Sequence, residues 1–108
     1  MSALQKFEES LTQNQPPKDA SVYLQALWYD AKGNWNKAHS LVDHLSDKTA
    51  ARVHAYLHRV EGDQWNANYW YNRAGESMPD VSLPEEWKLL VEQFTAHACL
   101  SADRDDTD

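Results

Sequence analysis

Apolar residues recur along most of the chain at the three- and four-residue spacing of amphipathic helices. Near the amino terminus, Leu4, Phe7 and Leu11 form one short stripe. The clearest stripe lies near the other end and consists of Leu83, Trp87, Leu90, Val91, Phe94 and Ala98. No run of alternating β-branched residues is long enough to predict a strand. The pattern therefore predicts an all-α protein with six helices.

Glycine and proline mark where the predicted helices end. Gly33, Gly62 and Gly75 each follow a helical stretch, which is where a C-capping glycine is expected. Ser82 and Glu85 have the spacing of a capping box at the start of the last helix. These signals predict one helical domain over residues 1–100. It contains two helix hairpins at about 20–46 and 49–76 and a capping helix at about 83–99, and an acidic tail, 101–108, is predicted to be disordered.

The two hairpins have similar sequences. When Gly33 is placed over Gly62, "KGNWNKAHSLV" lies over "EGDQWNANYWY", at a spacing of 29 residues. In each segment a glycine precedes a capping Asn or Asp, and an alanine, Ala38 or Ala67, follows five residues after the glycine. The chain therefore contains an internal repeat of a helix, a glycine turn and a second helix.

This repeat resembles the tetratricopeptide repeat. The second unit matches that family's pattern through Gly62, Asp63, Ala67, Tyr71, Ala74 and Pro79. The first unit matches it more loosely, through Gly33, Asn34, Ala38 and Leu41. The spacing departs from the family, whose period is about 34 residues. The resemblance implies an α-α superhelix of two hairpins, flanked by the first helix and covered by the last.

Three phrases, "ALWYDAKGNWNKAH", "AHAYLHRVEGD" and "NANYWYNRAG", also resemble a family of small bacterial and fungal proteins. That family is uncharacterised, so the resemblance supports the fold and implies no activity.

Charge excludes some classes of partner. With 17 acidic and 10 basic residues, the net charge is −7, which disfavours binding to nucleic acid or to an anionic membrane surface. Cys99 is the only cysteine, so no intrachain disulfide can form, and no signal peptide or membrane span is recognisable. We therefore expect a cytoplasmic protein, with Cys99 as a small packed side chain, and no cofactor is predicted.

Histidines on the fourth helix are the first candidates for chemistry. His54 and His58 are four residues apart, and Glu61 follows on the same helix edge, so the three could ligate a metal. The residue after His54 is Ala55, whereas the strong zinc motif has a glutamate there. The favoured interpretation is that both histidines lie at the rim and hydrogen-bond to a neighbouring helix. His39 and Asp43 form a second pair at i, i+4, which is either an acid–base dyad or a surface pair.

The fifth helix offers a binding surface. Asn66, Tyr69 and Arg73 recur at i, i+3 and i+7 opposite the predicted core face, and their amide, phenol and guanidinium groups suit a carboxylate or a peptide backbone. The alternative is a Tyr–Arg stack on the outside of the domain. Arg59 is predicted to join this surface by pairing with Asp63.

Two functions follow from these patterns. The first is a non-enzymatic module that binds a protein, a peptide or a second copy of the chain through Asn66, Tyr69 and Arg73, with His54 and His58 nearby. The alternative is a small metal- or histidine-dependent enzyme that uses His39, His54, His58 and Glu61.

Overall fold

The computed structural model describes the backbone from residue 2 to residue 107 and the side chains from residue 2 to residue 96. Within this part of the chain the structure is all-helical and has no strand, which confirms the predicted fold class. The helices are α1 (Ala3–Ser10), α2 (Val22–Ala31), α3 (Trp35–Val42), α4 (Lys48–Val60), α5 (Gln64–Ala74) and α6 (Leu83–Thr107). The predictions for Ala98 and Cys99 concern side chains outside the described part. Helix α6 is longer than the capping helix predicted at about 83–99, and disorder over 101–108 stays a prediction.

Both hairpins turn in the same way. At the end of α2, the backbone N–H groups of Gly33 and Asn34 donate to the carbonyls of Asp30 and Tyr29, and Gly33 has a φ of 84°. At the end of α4, Gly62 and Asp63 repeat this pattern with a φ of 86° at Gly62. A left-handed residue at this position favours glycine, since a Cβ atom there is strained.

The residue after each glycine also begins the next helix. The side chain of Asn34 accepts a hydrogen bond from the backbone of Lys37, and that of Asp63 accepts one from the backbone of Asn66. One dipeptide thus ends a helix and caps the following one, which makes a tight corner. The predicted repeat of helix, turn and helix is therefore present at the 29-residue spacing. A superhelical stacking of the two hairpins stays a prediction.

One main core lies among α1, α2, α3, α4 and α6. Its fully buried members include Leu27, Trp28, Val42, Leu57 and Val91. A smaller cluster between α4 and α5 contains Ala55, Ala67 and Tyr71. The small alanines at this second contact allow the two helices to approach closely.

Helix α6 covers the core as predicted for a capping helix. It packs on α1, α2 and α4, and it buries Trp87, Leu90, Val91 and Phe94. The indole of Trp87 donates a hydrogen bond of 2.9 Å to the carbonyl of Leu27. The predicted capping box is also present, because Ser82 and Glu85 exchange side-chain to backbone hydrogen bonds.

A buried carboxylate anchors α6 to the hairpin of α4 and α5. Glu86 is 0% exposed. Its oxygens accept hydrogen bonds of 2.7 Å from Arg52 and 2.6 Å from Arg59, both on α4, and a further one from the Tyr71 hydroxyl on α5. Arg52 also pairs with Glu76 at 3.0 Å. The two guanidinium groups are thus matched by two carboxylates, as a buried charge requires.

The predicted pairing of Arg59 with Asp63 is wrong. Arg59 turns towards Glu86 and also donates to the carbonyl of Val81. Asp63 is occupied by Asn66. The buried carboxylate is the stronger partner for a guanidinium, since solvent does not screen it.

We predict that Glu86→Gln lowers the free energy of unfolding by about 3–5 kcal/mol, because it leaves the buried Arg52 and the partly buried Arg59 without their shared anion. Glu92→Gln, at an exposed position of the same helix, is the matched control. Urea denaturation measures both. Equal stability of the two variants would contradict the assigned role of Glu86.

We also predict that Ala67→Leu overpacks the contact between α4 and α5 and costs about 1–3 kcal/mol. Ala67 is 0% exposed. Ala31→Leu, at an exposed helical position, controls for the added side chain. An unchanged thermal midpoint for Ala67→Leu would show that the two helices do not cross closely there.

Candidate functional site

Three histidines from two helices meet where the first hairpin packs against the second. His39 lies on α3, and His54 and His58 lie on α4. The Nε2 atoms of His39 and His54 are 3.1 Å apart. A ring nitrogen of His58 lies within 4.8 Å of ring nitrogens of the other two. We call these three residues the histidine cluster.

Two tryptophans enclose the histidine cluster. The ring of Trp35 stacks on His39 with 4.8 Å between centroids, and the ring of Trp70 stacks on His54 with 4.1 Å between centroids. The indole N–H of Trp35 also donates a hydrogen bond of 2.7 Å to the carbonyl of Leu57. This bond joins the start of α3 to the last turns of α4, so it sets the position of His39 relative to the other two rings.

Carboxylates stand behind two of the three rings. The Nδ1 atom of His58 is 2.6 Å from an oxygen of Glu61, and the Nδ1 atom of His39 is 3.8 Å from an oxygen of Asp43. A carboxylate on Nδ1 favours the tautomer in which that nitrogen carries the proton and Nε2 has the free lone pair. The contact with Glu61 therefore leaves the basic nitrogen of His58 on the far side of the ring from that carboxylate, whereas Asp43 is too far from His39 for a hydrogen bond.

His54 has no such partner. It is 2% exposed, and within the described part of the chain no group forms a hydrogen bond with its Nδ1 atom. Buried polar atoms are rarely left unpaired, and those that are call for an explanation in terms of function or a missing ligand.

Burial lowers the pKa of two of the three histidines, His39 and His54. Loss of solvent around His54, with a smaller contribution from His39 and His58, lowers its pKa to about 4. Burial likewise lowers the pKa of His39, and Asp43 and Glu61 only partly oppose that shift. At neutral pH the rings of His39 and His54 are neutral imidazoles.

The structure changes the sequence-based interpretation of the histidines. His54 is buried rather than at the rim, and the predicted hydrogen bond to a neighbouring helix is the contact with His39. Glu61 does not belong to the group of possible metal ligands that contains His54. It lies beside His58 and groups with His58 and Asp63. Of the four residues assigned to the alternative enzyme, the three histidines thus lie together. The fourth, Glu61, contacts His58.

The outer face of α5 differs from the predicted row in one residue. The amide of Asn66 donates to Asp63 at 2.6 Å, so the N-terminal cap uses it. Trp65 takes its place and is 76% exposed. Its ring stacks on that of Tyr69, and the guanidinium of Arg73 lies 5.8 Å from the centre of the Tyr69 ring. We call Trp65, Tyr69 and Arg73 the α5 stripe.

Trp65 could have been found from the sequence, because it precedes Tyr69 by four residues and Arg73 by eight, which is the spacing of one helix face. The predicted row did not include Trp65, because tryptophan is more often found in the core.

Comparisons with known proteins give no relative. The chain matches no protein-family model, no curated protein and no solved structure. Among the described residues, none of the helices combines the length and the hydropathy that crossing a bilayer requires.

Proposed function

We propose that the protein is a non-enzymatic interaction module that binds a protein or peptide through the α5 stripe. The observation that carries this proposal is the exposure of Trp65, which at 76% leaves a large aromatic ring in solvent. Tyr69, which stacks on it, is 45% exposed. Tryptophan, tyrosine and arginine are the residues most enriched among those that dominate binding energies at protein interfaces.

The stripe is organised before any partner arrives. The rings of Trp65 and Tyr69 are nearly parallel, at 9°, and Arg73 lies over both Tyr69 and Trp70. Side chains that already stack lose less conformational entropy on binding. Among the described residues, the Arg73 guanidinium donates one long hydrogen bond of 3.4 Å, to the Tyr69 hydroxyl. Its other N–H groups can therefore bind a partner.

The chemistry of the stripe favours a segment that places an apolar side chain beside a carboxylate or a backbone carbonyl. The rings supply apolar area, and the guanidinium supplies paired donors in a fixed plane. A second copy of the chain is one source of such a segment. The tetratricopeptide-like repeat supports the proposal, because stacked helix hairpins commonly serve as binding surfaces. We place this module in the cytoplasm, which the single cysteine supports.

We predict that Trp65→Ala combined with Arg73→Ala abolishes recovery of partners by the immobilised protein from a lysate of its native host. For a partner so identified, the affinity measured by calorimetry should fall at least about tenfold, which is the effect of losing about 1.4 kcal/mol. Circular dichroism first establishes that the variant is folded. Sedimentation of the free protein shows whether a second copy is the partner.

The control is Leu89→Ala combined with Lys88→Ala. This pair also removes one exposed apolar side chain and one exposed cation, but from α6. If the stripe variant recovers every partner of the wild type, or if the control loses them equally, the α5 stripe is not the binding surface.

A further inference from the structure

We propose that His39, His54 and His58 bind one divalent transition-metal ion, and that zinc is the ion this ligand set fits best. The site is independent of the α5 stripe and differs from a site of His54, His58 and Glu61 in its third ligand. It joins α3 of the first hairpin to α4 of the second.

The spacing of the nitrogens suits the ion. Two imidazole nitrogens bound tetrahedrally to zinc at about 2.0–2.1 Å are about 3.3 Å apart. The Nε2 atoms of His39 and His54 are already 3.1 Å apart. The nitrogen of His58 is within 4.8 Å of both, and its side chain is only 13% exposed, at the edge of the last turns of α4. A small rotation of that ring completes three ligands.

The chemistry of the ligands suits zinc as well. Three imidazole ligands favour zinc, copper or nickel over calcium and magnesium, which prefer oxygen ligands. Metal-binding histidines usually donate their other ring N–H to a carboxylate, which orients the ring and raises its basicity. Glu61 is 2.6 Å from Nδ1 of His58 and can play this part. Asp43 lies on the same side of His39, but at 3.8 Å from Nδ1.

Without a metal, the cluster leaves the protein with an imperfect arrangement. The contact between His39 and His54 requires one Nε2 atom to donate a proton and the other to accept it. The unpartnered Nδ1 of His54 is the other ring nitrogen and is not a ligand of the proposed ion. A shared ion would use both Nε2 atoms as ligands, which accounts for the convergence of the buried His54 ring with the partly buried rings of His39 and His58. Three protein ligands also leave one position of a tetrahedral ion open to water.

The test uses tag-free protein that has been dialysed against a chelator and then titrated calorimetrically with zinc chloride. We expect one ion per chain. Loss of an outer carboxylate typically weakens metal binding about 10–100-fold. His39→Gln and His58→Gln should each weaken zinc binding by more than this. Glu61→Gln should weaken it within that smaller range. His44→Gln, an exposed histidine next to Asp43, should leave it unchanged.

Cobalt chloride provides a second readout, because a four-coordinate cobalt ion absorbs visible light much more strongly than a hydrated one. We expect this band in the wild type and its loss in His39→Gln. His39 and His58 both lie at the edge of the cluster, and circular dichroism verifies that the two variants fold. Absence of zinc binding and of the cobalt band in the wild type would overturn the proposal. Binding that survives His39→Gln would overturn it too, and would assign the ion to the group of His58, Glu61 and Asp63.

Discussion

The buried carboxylate of Glu86 is the constraint on which the arrangement of the helices depends. It receives hydrogen bonds from Arg52 and Arg59 on α4 and from Tyr71 on α5. Apolar contacts would allow α6 to slide along the hairpin at small cost, whereas a buried charge tolerates few positions in which all its partners are satisfied. The network therefore sets the register of α6, and with it the placement of Trp87 on α2.

With α4 held on one side by Glu86, its opposite edge is free to meet α3. The indole of Trp35 bonds to the carbonyl of Leu57, and this contact brings His39 against His54. The same helix thus contributes to a cluster of buried charges and to a second cluster of imidazole rings. The first is completed by the protein's own groups, whereas the second brings ring nitrogens of three histidines within 4.8 Å of one another. This contrast is the physical reason for assigning structure to one and ligand binding to the other.

Trp70 connects the two proposed sites. Its ring stacks on His54, while Arg73 lies 5.4 Å from its centre and Tyr69 meets it edge to face. An ion that orders His54 would therefore also restrict the support beneath the α5 stripe. Neither site requires the other, because the stripe is already stacked and the histidines already converge.

The sequence by itself determined the elements of this protein, because helices and their ends are local. Apolar periodicity located the six helices, and Gly33 and Gly62 located the turns through their left-handed backbone. Only the tertiary structure decided which side chains meet. Glu86 stands next to exposed Glu85 and looks no different in sequence, yet packing of α6 buries it completely. His39 and His54 come together, and Arg59 chooses Glu86 over Asp63, because these contacts depend on how the helices are rotated against one another, which no short stretch of sequence specifies.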